Sequence, residues 1–327
     1  MSQTDRYGRE INYLRISVTD RCNLRCAYCM PPEGIPLISH DDVLRYEEIA
    51  RLAHLAHELG FAKFRVTGGE PLVRKGVASL VEKLETLGDD VDLSLTTNGV
   101  LLAEHASELK EAGLRRINIS LDTLDREKFR RISRFDLFDA VMEGISRAIE
   151  VGFDPVKINV VMVRDVNDDE IADFVKLTED QPLWVRFIEL MPFSRNNWRR
   201  EDFISADEIR QRIETQFHLI EMTRSDDSAP SLDYQAEGHK GYIGFIAPLS
   251  RRFCDLCNRL RLTADGHLVP CLHSEIEVDI RTPLRAGTSD DELKSILQKA
   301  IMAKPKGHKL CKDNIKKTER AMSKVGG

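Results

Sequence analysis

The chain has 327 residues, 42% hydrophobic and 31% charged, with a formal net charge of -6 at pH 7. That balance excludes a disordered chain, offers no overall basicity for wrapping nucleic acid, and is large enough for more than one ordinary domain. No apolar run approaches the roughly 18 residues that span a bilayer, and the opening MSQTDRYGREINYLRISVTD lacks the basic-then-apolar order of an export signal, so a cytoplasmic protein with no membrane and no nucleic-acid partner is expected.

The first half alternates short β-rich runs with stretches of helical period. Tyr13–Thr19 opens the series. Ile49, Leu52, Ala53, Ala56 and Leu59 then share one helical face, with Gly60 placed for a left-handed C-terminal cap. Lys63–Thr67, Val91–Thr97, Arg115–Leu121, Val156–Val163 and Leu183–Leu190 follow at intervals suited to βα units. Asn167 with Glu170 reads as a helix start, and Ser205 with Glu208 as a capping box.

Eight βα units close a full barrel and six are visible here, which predicts an α/β fold: an incomplete (β/α)6 TIM-type barrel over residues 1–204. Reactive groups in such barrels gather at the C-terminal ends of the strands. Cys22, the turn Thr67-Gly68-Gly69-Glu70, the run Thr96-Thr97-Asn98-Gly99, and Ser120 all fall there. Beyond Ser205 the rhythm becomes one helix, short strand-like pieces and polar stretches such as Arg224-Ser225-Asp226-Asp227-Ser228. Residues 205–327 therefore read as a C-terminal extension lying across the barrel opening. Its end, Lys304 to Gly327, carries eight Lys/Arg against Asp313 and Glu319, the pattern of a solvated tail.

Six of the seven cysteines form two groups of three, which fits metal ligation better than a disulfide framework. Cys22-x-x-x-Cys26-x-x-Cys29 sets three thiols on the loop after the first strand. Three thiolates on a four-iron cubane leave one iron open to a small chelating molecule; a zinc knob completed by His40 is the alternative. Cys254-x-x-Cys257 and Cys271 form the second group, with zinc completed by His267 or His273 as its alternative. Between them, Arg259 and Arg261 share one face of an extended run, which suits a polyphosphate, while two plain surface arginines would look the same. Cys311 reads as an incidental thiol, His54 and His57 as solvent-facing, and Trp184 and Trp198 as packing residues.

The first cysteine run and Gly68-Gly69-Glu70-Pro71 resemble the signatures of the radical S-adenosylmethionine (SAM) superfamily. The set LRISVTDRCNLRCAYC, RVTGGEPLVR, LTTNG, RRINISLD, KINVV, RFIELM, FCDLCNRLRLTADG and a terminal Gly-Gly, running from Tyr13 to Gly327, is similar to one family within it, the GTP 3′,8-cyclases of molybdenum cofactor biosynthesis. The resemblance implies two [4Fe–4S] clusters, one on Cys22, Cys26 and Cys29 and one on Cys254, Cys257 and Cys271. It places Tyr28, Gly69, Ser120 and Met191 around SAM. It places Arg15, Arg65, Thr96, Lys157, Arg259, Leu260 and Arg261 around GTP, with Arg15 a candidate catalytic proton donor.

The implied reaction is hydrogen removal from C3′ of GTP by a deoxyadenosyl radical, then attack of the carbon radical on C8 of guanine. Implied partners are a low-potential electron donor, a second copy in a homodimer, and cyclic pyranopterin monophosphate synthase as the next enzyme. The family's terminus reaches into the active site, whereas Gly326-Gly327 taken alone reads as a frayed end. A radical SAM peptide-modifying enzyme and a metal-dependent nucleic-acid-binding or redox-sensing protein are the rival readings. The first calls for more cysteines, and the second leaves the barrel and the Gly-Gly turn without a purpose.

Overall fold

The computed structural model describes residues 3–192, 199–223, 230–308 and 321–326. Six strands run parallel, each beside its predecessor: β1 (Tyr13–Ser17), β2 (Lys63–Thr67), β3 (Asp92–Thr97), β4 (Arg116–Ser120), β5 (Val156–Met162) and β6 (Leu183–Glu189). Helices link them, so the first half is the α/β partial barrel that the repeated βα rhythm predicts. β7 (Leu219–Glu221), β8 (Ser231–Ala236), β9 (Tyr242–Ile246), β10 (Arg259–Leu262), β11 (His267–Val269) and β12 (Val278–Asp279) follow from the C-terminal part.

These later strands continue the same sheet. β9 joins β6 in parallel and β10 joins β1 in parallel, with β8–β7 and β11–β12 antiparallel outside them. The extension therefore lengthens the barrel wall at both of the edges that bound its lateral opening. An open parallel sheet exposes unpaired backbone groups along its two outer strands, and these added strands cover both.

Strand alternation divides the wall into two faces. Leu14, Ile16, Phe64, Val66, Leu95, Ile117, Ile119, Ile158, Val160, Val185 and Phe187 are fully buried on the outer face, under helices such as Tyr46–Glu58 and Ile171–Asp180. The expected face of the first of these helices is buried, and Gly60 closes it with φ +92°. His54 is exposed as expected, whereas His57 is half-buried and bonds the Phe61 carbonyl at 3.0 Å through Nδ1.

The inner face is polar. The register aligns Arg261 with Arg15, Arg65 and Ser94, aligns Asn118 with Lys157 and Trp184, and sets Asn159 beside Arg186. Parallel strands covered on both sides normally read as apolar on both. A cationic inner row is therefore a site feature.

Two local readings change. The Asn167–Glu170 pair does not cap: the helix Ile171–Asp180 has Glu170 at its N-cap with no side-chain bond. Asn167, fully buried, donates to the carbonyls of Asp122 at 2.6 Å and Val161 at 2.9 Å, tying the loop after β5 to the end of β4. Ser205 does accept the Glu208 amide at 3.2 Å, but the Glu208 carboxylate turns to Arg164 and Arg212, so only half of the box forms. Among the described residues, no helix is long and apolar enough to cross a membrane.

Candidate active site inside the barrel

The loop after β1 carries Cys22, Cys26 and Cys29. It is clamped by the Arg25 and Ala27 amides on the carbonyls of Ser133 (3.0 Å) and Ile132 (2.9 Å). The Arg134 guanidinium clamps it further, donating to the carbonyls of Arg25 and Met30. All three thiols are free. Burial pushes Cys22 up to about 11 and Cys29 up to about 12, and lifts Cys26 well above the usual thiol range with help from Asp122 and the other two cysteines. Three buried thiols that resist ionisation in the bare protein need an outside positive charge to become thiolates, and the irons of a cluster supply it. The donor set fits the cluster that the spacing suggests.

The Gly68-Gly69 turn is set by crowding. A Cβ on Gly69 would collide with the Arg21 carbonyl oxygen and lie 2.8 Å from that of Asp20, while one on Gly68 would lie 2.8 Å from that of Thr19. Two of the turn's amides are engaged within the protein: Gly69 donates to Thr19 O (2.6 Å) and Glu70 to Arg21 O (2.7 Å). The Glu70 carboxylate binds Thr97 Oγ1 at 2.7 Å and the amides of Leu72 and Asn98 at 3.0 and 2.6 Å, locking β2 to β3.

Tyr28 donates its hydroxyl to Asp122 at 2.6 Å, and Asp122 also accepts the Val161 amide at 2.9 Å. Burial pushes Asp122 up to about 6 and lifts the Tyr28 phenol. Ser120 ends β4, two residues before Asp122, and Met191 lies two residues beyond β6. Tyr28, Gly69, Ser120 and Met191 thus belong to the cysteine loop or to the C-terminal ends of strands.

The inner wall gathers the expected cations. Arg65 donates to Ser94 Oγ at 3.1 Å, and the Lys157 ammonium lies 4.0 Å from the centre of the Trp184 ring. Trp184 is therefore a platform for this lysine as well as a packing residue. Burial first, then neighbouring cations, holds Lys157 down to about 7, and burial likewise keeps the Arg15 guanidinium well below its usual range. Thr96 Oγ1 is buried with no hydrogen-bond partner among the described residues. Leu260 differs from the rest of the set: its side chain is fully buried in the apolar core on the other face. Only its backbone could meet a ligand.

Arg186 was not singled out from the sequence, yet it belongs here. It is 6% exposed, donates to Asn118 Oδ1 at 2.5 Å, and is held down to about 9, chiefly by burial. Gly244 makes room for it, since a Cβ there would lie 2.9 Å from Arg186 Cγ. The available signal was a charged residue inside an otherwise apolar strand, between Val185 and Phe187.

The terminus also differs from the frayed reading. Arg261 donates to the carbonyls of Val325 (2.9 Å) and Gly326 (2.8 Å), and Arg15 donates to Gly326 at 3.1 Å. Gly326 has φ +72°, and a Cβ on it would lie 2.7 Å from Thr67 Cγ2. Gly327, Cys311, Trp198 and the Arg224–Ser228 stretch lie outside the described residues.

The second group brackets β10 and β11: Cys254 and Cys257 precede β10, and Cys271 follows β11. These thiols are also free. Burial raises Cys271, while at Cys257 the charges of Lys304 and Arg259 outweigh burial and hold the thiol down. His267 lies 3.4 Å from Asp265, and His273 packs edge-on against His308 with ring centres 5.5 Å apart. This donor set, three thiols beside cations, also fits an anionic cluster.

A partial barrel with a three-cysteine loop after β1 and a Gly-Gly turn after β2 defines a radical SAM enzyme. The chain matches the Radical SAM superfamily model over residues 16–178 and the Molybdenum Cofactor Synthesis C model over 183–310. The GTP 3′,8-cyclase of Desulforamulus reducens is 50% identical over 325 residues, and that of Moorella thermoacetica 48% over 323, each alignment covering 99% of both chains. The chain belongs to the GTP 3′,8-cyclase family. Among solved structures, Streptococcus suis SuiB bound to S-adenosylmethionine matches with a TM-score of 0.58 at 15% identity, over 90% of this chain and 70% of that one. The protein anSMEcpe with bound AdoMet matches at 0.57 and 14%, over 90% and 78%. Both show the fold alone.

Proposed function

We propose that this chain converts GTP to (8S)-3′,8-cyclo-7,8-dihydroguanosine 5′-triphosphate, the first step toward molybdopterin, using SAM and two [4Fe–4S] clusters. The observation that carries the reading is the inner wall between the two cysteine groups. Buried Arg186 and Arg261, with half-buried Arg15 and Lys157 on the same face of the sheet, have their charged forms disfavoured by burial and by neighbouring cations. Such a set suits a polyanion that enters from solvent.

Cys22, Cys26 and Cys29 would hold the cluster that, when bound with SAM, supplies the deoxyadenosyl radical for hydrogen removal at C3′. Tyr28, Gly69, Ser120 and Met191 would line SAM. Cys254, Cys257 and Cys271 would hold the second cluster, next to the guanine end of GTP. Arg65, Lys157, Arg259 and Arg261 would fix the triphosphate through charge-assisted bonds, the nucleotide would give the Thr96 hydroxyl a hydrogen-bond partner, and the Leu260 backbone would border it. Barrel walls of this kind exclude water from a reactive radical.

Arg15 would orient the substrate and provide the last proton, because burial among other cations weakens its hold on that proton. The division into residues 1–204 and 205–327, a homodimer, a cytoplasmic setting, a low-potential electron donor, and cyclic pyranopterin monophosphate synthase downstream complete the proposal.

The test is anaerobic incubation of reconstituted, reduced protein with SAM and GTP, after iron, sulfide and zinc analysis, followed by mass spectrometry of the nucleotides. Roughly eight irons per chain, deoxyadenosine and a GTP isomer are expected. Arg15→Ala should still cleave SAM but yield no cyclised product. Zinc in the second group, or deoxyadenosine formation indifferent to GTP, would overturn the reading.

A further inference from the structure

The stretch Lys304–Gly307, read from the sequence as the start of a solvated tail, packs against the second group at Cys254 and Cys257 and at the residue before Cys271. Lys304 is 3% exposed. Its ammonium donates to the Arg259 carbonyl at 2.5 Å and the Pro270 carbonyl at 2.8 Å, and also to the Cys257 thiol. It therefore spans both arms of the group, since Pro270 directly precedes Cys271. Gly307 covers the third thiol: a Cβ there would lie 3.2 Å from Cys254 Cβ and 3.4 Å from its Sγ. Arg9 pins the stretch from outside, donating to the carbonyls of Cys254 (2.7 Å), Pro305 (2.7 Å) and Lys306 (3.0 Å).

A buried ammonium needs a counter-charge. Arg9 has one in Asp5, bonded at 2.7 Å. Burial holds the Lys304 ammonium below its usual range, and Cys257 and Cys271 are the groups that pull the other way. Around the first cysteine loop the charges are mixed, with Glu70 and Asp122 acting against the thiolates of Cys22 and Cys26 and Arg25 in favour of that of Cys22.

We propose that Lys304 is a positioning residue whose ammonium faces the second cluster and sets its potential above that of the first. The inference rests on the two-cluster reading. Reduction adds negative charge to a cluster, and a fixed cation in hydrogen-bond contact with its thiolate ligands favours that reduced form, whereas nearby carboxylates oppose it.

The test is a redox titration of the reconstituted full chain followed by electron paramagnetic resonance, preceded by iron, sulfide and zinc analysis. In Lys304→Gln the reduced-to-oxidised ratio of the second cluster at a fixed potential should fall about tenfold, a midpoint shift of about 59 mV for one electron. The first cluster should not move, and Lys304→Arg should restore most of the shift. An unchanged second-cluster potential with about eight irons bound would overturn the assignment alone. If Lys304→Gln loses the cluster, the unmodified protein decides, because a second-cluster midpoint at or below that of the first overturns the proposal. About four irons plus zinc would sink the two-cluster reading itself, and this assignment with it.

Discussion

GTP binding at pH 8 should draw a proton onto Lys157. Burial, then Arg186 and other cations, hold this ammonium down to about 7, with Asp233 pulling weakly the other way. At pH 8 it is then only about one-tenth protonated in the empty protein, from the definition of a pKa. A triphosphate in hydrogen-bond contact raises the pKa again. A shift past 9 requires about 3 kcal/mol at 1.36 kcal/mol per unit, within the about 1.5–3 kcal/mol of one charge-assisted bond plus the rest of the polyanion's field.

Uptake should therefore approach about 0.8 proton per GTP, and phosphate groups, with pKa near 6, add little at that pH. Anaerobic calorimetry in buffers of different ionisation enthalpy measures this directly. Lys157→Met should abolish the uptake. At pH 6 the lysine is already charged and contributes nothing. Undiminished uptake in Lys157→Met, or none in the unmodified protein at pH 8, would refute the reasoning. The stability sign follows: the unfolded chain keeps this proton up to about 10.5 and the folded chain releases it near 7, so stability rises with pH across that window.

Arg186→Met should move stability and affinity in opposite directions. Holding its charge in the empty fold costs on the order of 5 kcal/mol for a shift from 12.5 to about 9, against about 1–3 kcal/mol for the lost Asn118 bond. The ligand-free protein should gain a few degrees in Tm, while GTP Kd rises about 10–100-fold. A lower Tm with unchanged Kd contradicts this. Gly69→Ala should displace the first cysteine loop, because the new methyl would collide with the Arg21 carbonyl. Iron per chain would then fall from about eight to about four, and a full complement after reconstitution speaks against the collision.

What could be read from the sequence was local. The six barrel strands end within two residues of the expected bounds, because each run is bracketed by its own turn chemistry. Both cysteine groups are visible as groups of three from their spacing, which leaves the choice between a cluster and zinc open. The alternation Arg259-Leu260-Arg261 gave the inward arginines correctly, but it also implies that Leu260 points away, as the structure confirms. The positions misread or passed over depend on distant partners. Asn167 satisfies its amide on Asp122, 45 residues away, and Arg9 reaches Cys254 across 245. Lys304 looks like one more tail lysine until β10 and β11 close around it. No local period records those contacts.

The terminus and the inner wall explain each other. Arg261 is a buried cation and Arg15 a half-buried one, and in the empty barrel their donors require acceptors. Val325 and Gly326 offer backbone carbonyls. A bond from a cation to a neutral carbonyl is weaker than one to an anionic phosphate oxygen. If the triphosphate occupies this wall as proposed, the carbonyls would satisfy the guanidiniums without outcompeting its several charges. A carboxylate in their place would form a buried ion pair, and breaking such a pair costs about 3–5 kcal/mol, most of the free energy that phosphate contacts could return. On the proposed reading, neutral acceptors on a segment ending in glycine would satisfy the wall when it is empty and leave it open to a triphosphate.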